Sequence, residues 1–236
     1  MKFPNFSFEK KLWKAGYKLV AGVDEVGRGS FAGPVVAGCV VFYPSQLLQG
    51  EALRNLRKEG VVINDSKRMT PRQRERANKW IKENVAAWGV GGANVSLINR
   101  IGMGKATKVA FRRAIAEANL KLKTKDSNLI DFLLIDAFYI PYVRGLRRKN
   151  QKAIINGDEK SITIAAASII AKVYRDALMR KMSHKYPRYG WGRNKGYGTR
   201  EHQRALRKYG LSRYHRKQFV ATYFKKTSSS QVQSSA

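Results

Sequence analysis

The sequence predicts an α/β fold: a central mixed sheet with helices on both faces, followed by a basic, helical carboxyl-terminal segment. Short Val- and Ile-rich runs bounded by Gly, Pro and Asp alternate with longer segments of helical apolar spacing. Several of the strand runs end on a carboxylate, at Asp24-Glu25, at Asp136 and, past a short exit, at Asp158. A length of 236 residues with 43% hydrophobic side chains suffices for one sizeable core.

Residues 7–17 read as a short amphipathic helix that Gly16 ends. The chain then enters the strand that closes in Gly22-Val23-Asp24-Glu25-Val26-Gly27-Arg28-Gly29, and an apolar run from Pro34 to Tyr43 forms a second strand. Period-two alternation sends Asp24 and Glu25 to opposite faces. An Asp-Glu pair can simply end an exposed strand, but these two lie between apolar runs, and buried carboxylates call for a cation. Gly27 and Gly29 let the backbone turn and approach a ligand, while Arg28 offers a forked donor for phosphate. The spacing Gly27-x-Gly29-x-x-x-Gly33 misses that of a dinucleotide-binding turn. Cys39, the single cysteine, sits in the second strand as a buried thiol and carries no assigned chemistry.

Residues 44–69 form a mostly irregular connection containing Asp65-Ser66-Lys67, in which Lys67 alone reads as one solvated lysine among many. Thr70-Pro71-Arg72-Gln73 opens a helix to about residue 85, with a cap, a first-turn proline and a reciprocal Gln. Residues 86–95 make a strand weakened by Gly89, Gly91 and Gly92. Residues 96–120 are helical with a break around Gly102 and Gly104, with Lys105, Lys108, Arg112 and Arg113 on the wet face. Residues 129–137 form a buried strand ending at Asp136. Taken alone, a terminal Asp is a turn residue; beside Asp24 in the same setting it becomes a candidate ligand. Residues 153–155 are a further strand with Asn156-Gly157-Asp158 as its exit, and residues 161–183 a helix whose first half is buried. On its own terms Asp158 reads as a cap of that helix, and Asp176 as a structural acid on it.

The carboxyl-terminal part differs in kind. From Arg180 to Lys217 there are thirteen Lys or Arg and one acid, Glu201, interleaved with Tyr186, Tyr189, Trp191, Tyr197, Tyr209, Tyr214 and all three histidines. Basic charge neutralises phosphates and flat rings stack on bases, so the mixture points to nucleic acid. The three histidines are spaced too widely for a metal site and are read as structural or phosphate-facing. The whole chain, with 47 Lys and Arg against 16 Asp and Glu and a net charge of +31, calls for a polyanionic partner. No apolar run reaches the ~18 residues of a membrane span, and the start lacks a signal core, so a cytoplasmic protein without membrane contact is expected. The expected organisation is a catalytic domain over residues 1–180, a basic substrate-binding segment of the same domain over 181–225, and a Ser-rich disordered tail over 226–236.

The stretch from Gly22 to Gly29, continued by Ser30-Phe31-Ala32-Gly33-Pro34-Val35-Val36-Ala37, closely resembles the signature of the type 2 ribonucleases H. The resemblance runs over roughly residues 9–220. It implies a ribonuclease H-like sheet and an active site of Asp24, Glu25, Asp136 and Asp158, with Asp158 as the last carboxylate ahead of a Ser-Ala-rich helix. It further implies that Lys67, within the family's Asp-Ser-Lys, faces substrate phosphate. Gly27, Arg28 and Gly29 would detect the ribose 2′-hydroxyl together with Tyr197, whose loop Lys195-Gly196-Tyr197-Gly198-Thr199 resembles the substrate-reading loop. His215-Arg216-Lys217-Gln218-Phe219 departs from the family pattern at Gln218, where a small hydroxyl residue is usual.

Four acids converging without a cation would repel and protonate. All-oxygen ligands select a hard divalent ion, so Mg2+ or Mn2+ is expected at Asp24, Glu25, Asp136 and Asp158, in a two-metal mechanism. The resemblance further implies the expected activity: hydrolysis of the RNA strand of RNA-DNA hybrids and incision 5′ to ribonucleotides embedded in duplex DNA, leaving a 3′-hydroxyl and a 5′-phosphate, by a monomer. A type 3 ribonuclease H fits less well, because Arg28 stands between the two glycines and only 17 residues precede the first strand. A non-catalytic nucleic-acid-binding protein acting through charge alone would leave the carboxylates dispensable.

Overall fold

A five-stranded sheet runs in the order β3 (Ala87–Ala93), β2 (Val35–Val41), β1 (Val20–Val26), β4 (Phe132–Asp136), β5 (Gln151–Ile154). In this computed structural model, which describes residues 3–44, 56, 58–126 and 129–233, β1 pairs antiparallel with β2 and parallel with β4, and β4 pairs parallel with β5. The sheet is therefore mixed, as expected. All seven residues of β2 are buried, and β1 is buried except at Glu25. That matches the continuous apolar runs of strands covered on both faces.

The chain divides into two compact units, Met1–Val26 with Val36–Gly92 and Thr107–Tyr174, and Gly27–Val35 with Ala93–Ala106 and Arg175–Ala236. The second unit thus contains the expected basic segment but adds the loop after β1 and the stretch after β3. Its last stretch begins at Arg175.

In the first unit, α1 (Ser7–Lys14) precedes β1 and α2 (Pro71–Asn84) follows β2. Helix α2 opens on the expected reciprocal cap: Gln73 N donates to Thr70 Oγ1, and Thr70 N donates to Gln73 Oε1. Trp80 and Ile81 of α2 pack with Phe6, Phe42 and the Ile169–Ile170 pair of a long helix in one core cluster. Each such side chain contributes about 1.5–3 kcal/mol relative to exposure.

That long helix, Ile162–Lys185, comes so close to the β1-β2 hairpin that only glycine fits beneath it. A Cβ on Gly22 would lie 2.1 Å from the Thr163 carbonyl carbon, and one on Gly38 would lie 2.1 Å from the Ala167 carbonyl oxygen. A second long helix, Met103–Asp126, approaches β3 in the same way, at Gly89 and Gly91. Val90, on the opposite face of β3, packs with Ala171 of the first helix. Helices therefore cover both faces of the sheet. In chain order α3 is Val95–Ile101, α4 is Met103–Asp126 and α5 is Ile162–Lys185. Gly102, at a φ of 80°, makes the expected break between α3 and α4.

The amino end of α5 is capped from a distance. Glu9 of α1, fully buried, accepts Thr163 N at 3.2 Å and Thr163 Oγ1 at 2.8 Å, and also the Ser161 hydroxyl. Burial pushes the Glu9 carboxyl up against the pull of these donors. Ser161 Oγ in turn accepts Ile164 N. The capping role that Asp158 alone suggested is filled by Glu9 and Ser161.

The second unit holds the short α6 (Trp191–Asn194), α7 (Arg200–Tyr209) and α8 (Lys217–Gln233). Helix α8 continues to Gln233, so helical backbone occupies most of the stretch expected to be a disordered tail; residues 234–236 lie outside the described residues. The core of this unit joins Phe31, Ala32, Met179, Tyr189, Trp191, Ala205, Leu206 and Val220. Tyr189 and Trp191 are buried and stack on each other with ring centroids 5.2 Å apart. They are core residues, which corrects their reading as stacking platforms for nucleic acid. Among the described residues no helix is long and apolar enough to cross a membrane.

Candidate active site

Three strand ends deliver the carboxylates. The β1-β4 register pairs Val20 with Phe132 and continues to Val23 with Ile135, so one further step sets Asp24 beside Asp136. In β4-β5, Asp136 pairs with Ile154, and the chain leaving β5 turns at Asn156 (φ 53°) into a 3-10 turn, Gly157–Glu159, that carries Asp158. The Asp136 carboxylate accepts Gly157 N at 2.7 Å, which ties the end of β4 to the turn bearing Asp158. Asp24 and Asp158 are buried, while Glu25 and Asp136 are half-buried.

Asp24 shares the face of β1 with Gly22 and stands opposite Gly38. The close approach of α5 over those glycines brings Ser168 to Asp24, to which it donates its hydroxyl. Ser66 Oγ lies 2.9 Å from Ser168 Oγ; with the Ser168 proton given to Asp24, Ser66 is the donor of that pair. Glu25 N donates to Asp24 Oδ1 at 2.7 Å. Asp24 is nonetheless pushed well above the usual carboxylate range, by burial first and then by the charges of Glu25, Asp136 and Asp158, against the pull of the Ser168 hydroxyl.

Each residue of Asp65-Ser66-Lys67 has a task here. Asp65 Oδ1 accepts Lys67 N at 2.9 Å, a local turn that aims the lysine. Lys67 Nζ reaches Asp158 Oδ2 at 3.2 Å although its side chain is 77% exposed. Partial burial lowers the ammonium, but the Asp158 charge and hydrogen bond, with Asp65 and Asp24 behind them, outweigh it and raise its pKa. Asp24, Glu25, Asp136, Asp158 and Lys67 thus share one electrostatic neighbourhood in the first unit. Ser66 stands in the sequence reading only as part of Asp65-Ser66-Lys67, and Ser168 is not singled out there at all, because a lone serine in an apolar helix carries no periodic signal.

Among the described residues, no three His, Cys, Asp or Glu side chains stand ready-assembled as a metal-ligand set. The donor chemistry still fits a hard divalent ion: four carboxylates supply only oxygens, and their mutual repulsion at Asp24 is the imbalance a cation relieves.

In the second unit, Arg28 and Gly29 are exposed on a loop built around two buried arginines. Arg175 donates to the carbonyls of Ala32, Pro34 and Lys195 and to Ser30 Oγ, at 2.9–3.1 Å. Arg216 donates to the carbonyls of Arg28 and Gly33 at 2.7–3.0 Å. Gly27, at a φ of 91°, leaves no room for a side chain, since its Cβ would meet Arg175 Nε at 2.1 Å. Phe31 N and Ala32 N donate to Gly196 O, and the Arg175 guanidinium lies 5.5 Å from the Tyr197 ring. The Gly27-Arg28-Gly29 loop and the Tyr197 turn, far apart in sequence, are one hydrogen-bonded assembly. Arg175, which helps hold it together, is indistinguishable in sequence from the surrounding basic residues, and Arg216 stands in the run His215 to Phe219 with no role assigned there. His202 and His215 are buried and structural, His184 is exposed, and the Gln218 side chain is exposed on α8.

The family model for Ribonuclease HII matches residues 21–227. A Ribonuclease HII from Wolbachia pipientis subsp. Culex pipiens is 43% identical over 220 residues, 93% of this chain and 98% of the relative. The crystal structure of the ribonuclease H2 from Pyrococcus horikoshii OT3 aligns with a TM-score of 0.61 at 25% identity, over 85% of this chain and 93% of that one. Bst-RNase HIII in complex with Mn2+ is alike in fold, with a TM-score of 0.63 at 19% identity over 87% and 70% of the two chains. The strand-end carboxylates, the register that gathers them and this likeness along almost the whole chain lead to one conclusion: the chain belongs to the ribonuclease HII family, hydrolases that cleave the RNA of RNA-DNA hybrids.

Proposed function

We propose that this chain, acting as a monomer, cuts on the 5′ side of ribonucleotides embedded in duplex DNA as well as within RNA-DNA hybrids, leaving a 3′-hydroxyl and a 5′-phosphate. The observation that carries the reading is the strand register that sets Asp24 beside Asp136, with Asp158 tied to Asp136 through Gly157.

Enzymes of this family depend on a divalent metal, and Asp24, Glu25, Asp136 and Asp158 are the residues that would hold Mg2+ or Mn2+. Such an ion, when bound, lowers the pKa of an attacking water and stabilises the leaving oxygen. The protein's own contribution is placement. Ser168 and the Glu25 amide orient the Asp24 carboxylate, and the Gly157 amide orients Asp136. Lys67 puts a mobile positive charge at Asp158 and meets the phosphate of the cut strand. Arg28, exposed beside two glycines, takes a backbone phosphate, while the backbone of Gly27 and Gly29 and the ring of Tyr197 read the sugar. The largely exposed Lys and Arg residues of the carboxyl-terminal segment hold the duplex.

Incubation with a labelled DNA duplex carrying one ribonucleotide, beside a uniform RNA-DNA hybrid, tests this. One cut mapped to the 5′ side of the ribonucleotide supports the reading. Cleavage of the hybrid with the single-ribonucleotide duplex left intact refutes its finer part.

A further inference from the structure

The backbone of Tyr197 is held from inside the second unit by two buried imidazoles. His202, on α7, places Nδ1 2.9 Å from the Tyr197 carbonyl oxygen, and its Nε2 lies 3.1 Å from His215 Nε2. Trp191 Nε1 donates to His202 Nε2 at 3.2 Å, and Ser212 N donates to His215 Nδ1 at 2.8 Å. Both histidines are essentially fully buried.

These contacts admit one pair of neutral tautomers. His215 Nδ1 accepts from Ser212, so its proton is on Nε2 and is donated to His202 Nε2. His202 Nε2, accepting from His215 and Trp191, leaves its proton on Nδ1, which is donated to Tyr197 O. The reverse assignment would set the Trp191 N–H against an imidazole N–H and leave Nδ1 facing a carbonyl with no proton between them. Directional order therefore runs from the Ser212 amide through two rings to the carbonyl of Tyr197.

We propose that His202 and His215 are positioning residues for ribonucleotide recognition: locked as complementary neutral tautomers, they fix the Tyr197 backbone and so aim its ring at the sugar. The inference rests on the reading of Tyr197 given above. It also gives Trp191 a task beyond packing, as the donor that keeps His202 Nε2 unprotonated.

The test is steady-state kinetics on the single-ribonucleotide duplex for the full chain, Tyr197→Ala, His202→Asn and His202→Gln. The Asn amide nitrogen stands near the place of Nδ1 and the Gln amide nitrogen near that of Nε2. Loss of the aimed hydrogen bond lowers kcat/KM about tenfold in His202→Gln, and His202→Asn recovers most of that loss. Equal losses in the two His202 variants, or none in His202→Gln while Tyr197→Ala is impaired, overturn the positioning role and leave the reading of Tyr197 standing. A Tyr197→Ala variant with unchanged kinetics removes that reading, and the inference falls with it. Independently of any variant, 15N spectra of the wild-type histidines should show His202 protonated on Nδ1 and His215 on Nε2; the opposite assignment overturns the proposal even where a variant does not fold.

Discussion

Lys67 Nζ lies 3.2 Å from Asp158 Oδ2, an exposed ammonium set on a buried carboxylate. On the proposed reading a divalent cation would compete with Lys67 for the same Asp158 oxygen, so the lysine would neutralise Asp158 in the absence of metal and turn toward phosphate in its presence. Lys67→Ala should lower kcat/KM on an RNA-DNA hybrid about tenfold, the cost of one charge-assisted contact of roughly 1.4 kcal/mol. The metal concentration for half-maximal activity should fall at the same time. A Mg2+ titration of both proteins measures the two effects, and a rise in the metal requirement would count against competition.

Asp24 is buried among the charges of Glu25, Asp136 and Asp158. Its folded pKa is raised above the unfolded value, so the folded state binds the proton more tightly and Asp24 costs stability increasingly as pH rises through its unfolded pKa. Asp24→Asn removes that cost. Without divalent ions the variant should melt about 2–4 °C higher at neutral pH, the shift that ~1 kcal/mol produces in a chain of this length, while losing hybrid cleavage. Thermal scans in chelator decide it; a lower melting temperature would contradict the account.

The packing of α5 on Gly22 and Gly38 links the core to the chemistry. A Cβ at residue 38 must displace the Ala167 carbonyl, and with it Ser168, the donor to Asp24. Gly38→Ala should cost about 1–3 kcal/mol, as overpacking does, and impair cleavage through Ser168. Denaturant unfolding with activity assays on the folded fraction separates the two effects. Full stability in the variant would show that the helix moves freely.

Burial and the neighbouring His202 push the His215 imidazole down to about 4. The unfolded chain, with an ordinary histidine near 6.5, binds the extra proton first, so the stability His215 contributes is complete above about pH 6.5 and is lost as pH falls toward 4. Glu201, next to His202 on α7, pulls the other way on that ring. Urea unfolding between pH 4 and 7 should show this slope, and His215→Gln should flatten it.

The fold was largely legible because its strands are apolar runs closed by turn residues and its helices begin with recognisable caps, as at Thr70 and Gln73. The mixed sheet and the break at Gly102 follow from those local signals. The glycines that seemed to weaken β3 do the opposite, since Gly89 and Gly91 admit α4; a glycine's steric use depends on a neighbour distant in sequence. In the first unit, Asp24 and Asp136 could be paired from their shared strand-end setting, whereas the capping of α5 by Glu9 could not, because the two lie more than 150 residues apart. Aromatic residues among basic ones misled at Tyr189 and Trp191, where composition resembles a binding face but burial makes a core. The tautomer relay through His202 and His215 was invisible for the same reason: its partners meet only in three dimensions.

The most direct test of the central claim, that Asp24, Glu25, Asp136 and Asp158 act together through a divalent ion, is calorimetric titration of Mn2+ into the wild-type protein and Asp136→Asn, with hybrid cleavage followed in the same samples. The account predicts saturable binding and cleavage in the wild type, with both reduced at least about tenfold in the variant, as loss of a ligand or its support requires. Undiminished metal binding and cleavage in Asp136→Asn would contradict it.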